Sequence, residues 1–245
     1  MGLLSEIGLA FLARWVHFLA GITWIGILYY FNFVQVPAFA EMQAPARSEA
    51  LRKVTWRALW WFRWGAALTV LSGLLILGLQ RNFSEAYMST PAGVSIYTGA
   101  LLGLVMLGNV WGVIWRAQKV AIGSAERVAA GGEADPAAAP AARRGFIASR
   151  TNTLFSIPLL FFMAATSHFA GTSLFADATD PSARMMWWVI VVVLVGAIEA
   201  NALGVLGYGP KWNTKPVDSI RAVLISGFAL NAVLYVAFFA FFGKV

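Results

Sequence analysis

His17 and His168 are the only histidines in this 245-residue chain, which has no cysteine. It therefore holds no disulfide, no cysteine-ligated iron–sulfur cluster, no thiolate-bound haem and no CxxCH site for covalent haem. Two histidines are too few for a multi-histidine metal cluster, and a four-ligand structural zinc site is not expected. They suffice for the two faces of one haem iron. Both fall inside long apolar stretches at a similar depth: His17 is ten residues from the start of its stretch, about 15 Å, and His168 seven from the end of its own, about 10 Å, at the helical rise. A flat macrocycle between two helices needs small residues around each ligand. Ala13, Ala20 and Gly21 share the helical face of His17, with Trp24 a turn further on; Ala164, Ala165, Gly171 and Thr172 flank His168. Arg14, one turn from His17, is placed to pair with a propionate, and Arg184 is a second candidate. The competing reading makes each histidine a polar group in an ordinary Ala- and Gly-lined helix interface. Matched depth, small neighbours and the arginine favour His17 and His168 as axial ligands of haem b. Two imidazoles leave the iron no open position and suit electron transfer.

Other polar residues inside apolar stretches are costly there and face a cavity or a partner. Glu199, Asn201 and Asn109 are candidates for a proton-relay or quinone-headgroup site. Structural pairing of Glu199 with an arginine such as Arg63 is the slightly favoured alternative. Asn109 and Asn231 are expected to tie helices together, and Gly99, Gly103 and Gly108 to serve packing. Met163, five residues from His168 and off its face, is a weak alternative ligand. No residue is assigned a catalytic role.

The elements that position these groups are transmembrane helices. The chain is 60% hydrophobic and 12% charged, with a mean hydropathy of +0.72, which excludes an ordinary soluble domain. Six stretches approach or exceed the roughly 20 apolar residues that cross a bilayer: 7–34, 59–79, 94–115, 153–175, 185–206 and 220–242. The first lacks a basic leader and a small-residue cleavage site, so it reads as a retained helix. The fold class is all-α, an integral membrane bundle of about six helices in a single domain spanning 1–245. An Ala-, Gly- and Pro-rich flexible cytoplasmic linker is expected at about 120–148.

The net charge of +7 forms no continuous basic domain, so nucleic acid is not an expected partner. Fourteen of the eighteen Lys and Arg residues, among them Arg63 and Arg150, fall on the side of the first, third and fifth loops. By the positive-inside rule those loops are cytoplasmic and both termini periplasmic. Trp56, Trp60, Trp61 and Trp64 on the cytoplasmic side, and Trp187 and Trp188 on the other, read as interfacial aromatics.

Three separated motifs occur in order: Arg14-Trp15-Val16-His17-Phe18-Leu19-Ala20-Gly21-Ile22-Thr23-Trp24-Ile25-Gly26; Asn109-Val110-Trp111-Gly112-Val113-Ile114-Trp115 with Gln118-Lys119; and Ser149-Arg150-Thr151-Asn152-Thr153 through Ser156-Ile157-Pro158 to His168. Over nearly the whole chain they resemble the membrane domain of the bacterial cytochrome-c-type urate oxidase (urate hydroxylase) family. The HxxAGxxW pattern at His17 also resembles helix 1 of other small haem-b membrane proteins, including the protoporphyrinogen-oxidising family and copper-resistance membrane proteins, and this likeness supports His17 as a ligand. The resemblance implies a bacterial inner-membrane, multi-pass protein. Family members typically continue into a periplasmic cytochrome c, and this sequence carries no CxxCH.

Three function classes follow. The favoured expectation is a b-type haem electron-transfer subunit that anchors a partner dehydrogenase, for example of the molybdenum hydroxylase type, and passes electrons to quinone or a cytochrome. A urate oxidase working with a separate cytochrome c is the second. A non-haem transporter or structural membrane protein is the third, resting on Glu199. Arg52, Lys53, Arg143, Arg144, Lys211 and Lys215 are candidates for docking an acidic partner.

Overall fold

The computed structural model describes residues 2–169, 172–209 and 212–244. Six helices are long and apolar enough to cross a membrane: α1 (Glu6–Glu41), α2 (Ala44–Leu79), α3 (Pro91–Ala129), α4 (Ala138–Phe169), α5 (Pro181–Ala202) and α6 (Ile220–Phe242). This is an all-helical, multi-pass membrane bundle, and an even number of crossings returns the chain to the side where it began. Four helices start on a side-chain cap: Ser5, Thr90, Asp180 and Ser219 each accept a hydrogen bond from a first-turn amide. Pro91 and Pro181 sit at first helical positions, where an amide N–H has no partner to lose.

One end of the bundle carries both termini and is tied together by short contacts. Lys244 N–H donates to the Leu174 carbonyl and Ala176 N–H to that of Phe242, and Thr179 N–H reaches Ser89. The connections 42–43, 130–137 and 203–214 lie at the opposite, loop end.

Helix α4 is the centre, with α1, α3, α5 and α6 packed on it. Close approach between helices relies on glycine. At Gly65 of α2 a Cβ would come within 3.3 Å of Trp24 N and 3.4 Å of Ala20 O on α1. At Gly227 of α6 it would stand 2.5 Å from Ile157 Cδ1 and 3.0 Å from the Leu154 carbonyl. That carbonyl lacks its usual helical donor, because residue 158 is proline. Ala13, Ala20 and Trp24 are buried, and Ala20 and Trp24 serve the α1–α2 contact.

Three of the long helices contain a wider, π-helical stretch: Tyr30–Gln35 in α1, Leu51–Thr55 in α2 and Asn109–Ile114 in α3. Such insertions re-aim side chains and concentrate at functional sites. Here they bring amides inward: Asn32 donates to Ser149 Oγ, and Gln35 Oε1 accepts from Thr55 Oγ1.

Several expectations are corrected. The segment 120–148 is mostly helical: α3 runs to Ala129 and α4 starts at Ala138, leaving 130–137 as the turn. Alanine is the strongest helix former, and the turn itself is pinned by Asp135, whose N–H donates to Ser124 Oγ and whose carboxylate accepts from Arg127. Trp187 is no interfacial residue; it is fully buried, donates to Thr98 Oγ1 and packs on Phe162 and Phe238. Arg150 is only 3% exposed, inside α4 rather than in a loop. Arg63 lies within α2, its guanidinium 3.8 Å from the Trp115 ring centre and 5.4 Å from that of Trp111.

Candidate functional site

The polar residues of the membrane interior fall into two regions. Towards the terminal end, His17 turns from α1 onto α2. Its Nδ1 donates to the Thr69 carbonyl at 2.8 Å and lies 3.2 Å from Ser72 Oγ. The Thr69 and Ser72 hydroxyls donate to carbonyls one turn back along α2. Gly73 makes room for the ring, since a Cβ there would be 3.1 Å from His17 Cε1 and 3.4 Å from Nδ1. The donor role fixes the tautomer and leaves the Nε2 lone pair free. Histidines that bind metals are oriented in this way, the second nitrogen donating to a carbonyl or carboxylate. One turn towards the terminal end, Ala10 and Arg14 line a cleft of about 670 Å³ that also touches Glu6, Arg81, Tyr87 and Thr166. Burial raises the Tyr87 phenol above its usual value, with Tyr97 adding a smaller effect.

His168 lies near the end of α4, exposed and without a hydrogen-bond partner among the described residues. Among the described residues, the hydrogen bonds between α1 and α4 lie towards the loop end, where Tyr29 donates to Ser156 Oγ and Asn32 to Ser149 Oγ. Of the small residues beside His168, Ala164 is exposed, Ala165 is buried and Thr172 partly buried; Gly171 lies outside the described residues. Met163 is engaged elsewhere, packed over Gly99, where a Cβ would stand 3.0 Å from its Cγ and 3.3 Å from its Sδ. Arg184 is not among the residues lining the cleft and donates to Thr179 Oγ1 at the start of α5.

The second region lies towards the loop end. Asn109, in the π-helical part of α3, donates at 2.9 Å to Asn152 Oδ1 on α4 and at 2.9 Å to Glu199 Oε2 on α5. Asn152 in turn donates to the Met106 carbonyl at 3.0 Å. Asn109 thus ties three helices, as expected. Glu199 is paired with this amide and not with Arg63, which the tryptophans hold. Asn201 is separate: it exchanges hydrogen bonds with Asn213 across the 203–214 connection. The side-chain carbonyl of Asn231, expected to bridge helices, has no partner among the described residues, and Gly108 is exposed, a Cβ there meeting no atom within 4 Å. Beside this cluster, Arg150 lies 5.0 Å from the centre of the Phe146 ring with two buried nitrogens, Nε and one terminal nitrogen, unpaired.

Much of the expected basic docking surface at the loop end is internally engaged. Lys53 pairs with Glu49, Arg143 with Asp218, and Arg144 lies over Tyr208. Lys211 lies outside the described residues. The buried Arg150, Asn152 and Asn32 were not singled out from the sequence as a site. The signal was there, in the run Ser149–Ser156, whose six polar or charged residues among eight form part of a buried helix.

Comparison with known proteins adds one finding. Residues 79–203 match the family model described as urate oxidase N-terminal, while comparisons with curated proteins and with solved structures find no match. The matched span holds Asn109, Arg150, Asn152, His168 and Glu199; His17 precedes it. Since that span is half of the chain, the chain belongs to the urate oxidase N-terminal family.

Proposed function

We propose that the chain is a membrane-embedded b-type haem electron-transfer subunit. The observation that carries this reading is the seating of His17: an imidazole inside a membrane helix, Nδ1 committed to the Thr69 carbonyl and Nε2 free. His17 and His168 are the residues to hold the iron, and Arg14 is the residue to meet a propionate at the cleft. Bound there, haem supplies one-electron uptake and release. The protein's part is to fix the imidazole orientation through Thr69, Ser72 and Gly73, and to place a cation at the open end. In this reading the subunit lies in the bacterial inner membrane with both termini periplasmic. It anchors a partner dehydrogenase, of the molybdenum hydroxylase class, and passes electrons to quinone or a cytochrome.

Reduced-minus-oxidised spectra with pyridine haemochrome analysis of the purified protein test the proposal. Haem b is expected, and it should be lost or strongly reduced in His17→Ala and in His168→Ala. Full haem retention in both variants removes the assignment. The family match favours a second reading, urate oxidation with a separate cytochrome c. Reduction of the haem by urate with no partner present would establish that one instead.

A further inference from the structure

Glu199 is a carboxyl group in the last turn of a membrane-spanning helix, and among the described residues its side-chain hydrogen-bond donor is the amide of Asn109. No ion pair reaches it among the described residues. The charged residues towards the loop end of the helices packed on α5 include Arg116 and Lys119 on α3, Arg143, Arg144 and Arg150 on α4, and Arg221 on α6; Arg143 pairs with Asp218, Arg144 lies over Tyr208 and Arg150 over Phe146. At a helix C-terminus the backbone dipole also opposes a negative charge. The carboxyl thus stands at the end of an apolar helix, facing the negative pole of the dipole, with no cation in ion-pair contact among the described residues.

The donor is fixed. Both N–H bonds of the Asn109 amide are committed, one to Asn152 and one to Glu199 Oε2, and Asn152 is itself held by its bond to the Met106 carbonyl. With Oε2 accepting, the proton of a neutral carboxyl belongs on Oε1, which has no protein partner and is not buried. Near the pair the outer surface is stripped of side chains: Gly196, three residues before Glu199, and Gly112, three residues after Asn109, are exposed, and a Cβ on either would meet no atom within 4 Å.

We infer that Glu199, held by Asn109 and Asn152, is a proton-exchange site for a lipid-soluble quinone-class carrier that approaches over the exposed surface at Gly196 and Gly112, an inference that rests on the electron-transfer reading. In the forward step the quinone oxygen would take up an electron supplied by the haem that His17 and His168 would hold, and a proton from Glu199. The O–H bond at Oε1 breaks, an O–H bond forms on the carrier, and the carboxylate left behind keeps the Asn109 hydrogen bond until water at the loop end returns a proton. Two such rounds convert quinone to quinol.

Dicyclohexylcarbodiimide, which modifies neutral carboxyl groups in apolar surroundings, tests the site on the full-length protein in native membranes. Peptide mass spectrometry should find the adduct on Glu199, and a short-chain ubiquinone analogue should slow its formation about tenfold. Glu199→Gln should lose the adduct; should that variant fail to fold, site-resolved mass spectrometry of the wild type still decides. No adduct at Glu199, or labelling indifferent to the quinone, overturns the inference. The haem spectrum of the same preparation separates the two readings: quinone-protected labelling of a haem-free protein keeps the exchange site and removes the electron-transfer role.

Discussion

The terminal half and the loop half of the bundle handle buried polarity in opposite ways. Near the terminal end a single imidazole is set on one neighbouring helix, braced by a backbone carbonyl and a hydroxyl, with one nitrogen left over. Near the loop end amides from three helices engage one another, and the leftover capacity is a carboxyl oxygen and part of a guanidinium. The first arrangement holds one side chain in one orientation, with its Nε2 unengaged among the described residues. The second holds helices together and leaves an acidic and a basic group at its margin. The two regions share α4, whose Asn152 belongs to one and whose His168 belongs to the other.

If the halves are independent, damage to one spares the other. The largest effect is expected from Gly73→Val, which drives a side chain into the space of the His17 ring. Haem affinity should fall about 10- to 100-fold, as for other losses of ligand support, while carbodiimide labelling of Glu199 stays at the wild-type rate. Equal loss of labelling would show that the halves are coupled. Asn152→Leu should act the other way round. It removes two buried hydrogen bonds and strands one Asn109 N–H, costing about 1–3 kcal/mol, read as a lower detergent-unfolding midpoint with the haem spectrum preserved. The smallest effect concerns the 130–137 turn outside both regions. The Ala137 N–H, and then Arg127, hold the Asp135 carboxyl below the usual carboxylate range. A carboxyl depressed in the folded state stabilises above its unfolded pKa, and that contribution is lost as pH falls through the folded value. Amide exchange in the turn should therefore quicken on acidification towards about pH 3, beyond the intrinsic pH dependence of exchange, and Asp135→Asn should flatten the excess.

Hydropathy was enough to read the six helices, because apolar runs of that length have no other economical placement. His17 was legible as a candidate for a similar reason: one imidazole among small residues inside such a run. Arg150 was not. Beside Arg143 and Arg144 and within a polar run it resembles the edge of a basic loop, and only the central position of α4, enclosed by four other helices, buries it. The Asn109–Asn152–Glu199 contact was half legible. Asn109 and Glu199 stood out as polar residues in apolar helices, but their meeting depends on the π-helical turn at Asn109, which no local sequence pattern announces. Trp187 misled for the converse reason: tryptophan near a helix start is commonly interfacial, yet Thr98 supplies a buried acceptor for its N–H.

Pro158 lies between Asn152 and His168, and it removes one rung from the hydrogen-bond ladder of α4. Helices bend most readily where a rung is missing. Gly227 of α6 rests against that point without a side chain to brace it. The interruption is spanned on both sides by ties to α3: beyond it Ser95 donates to the Phe162 carbonyl and Thr166 to that of Ala92, securing the arm that carries His168, and before it Asn152 is clamped in the amide cluster. The weak point of the central helix is thus splinted by its neighbour.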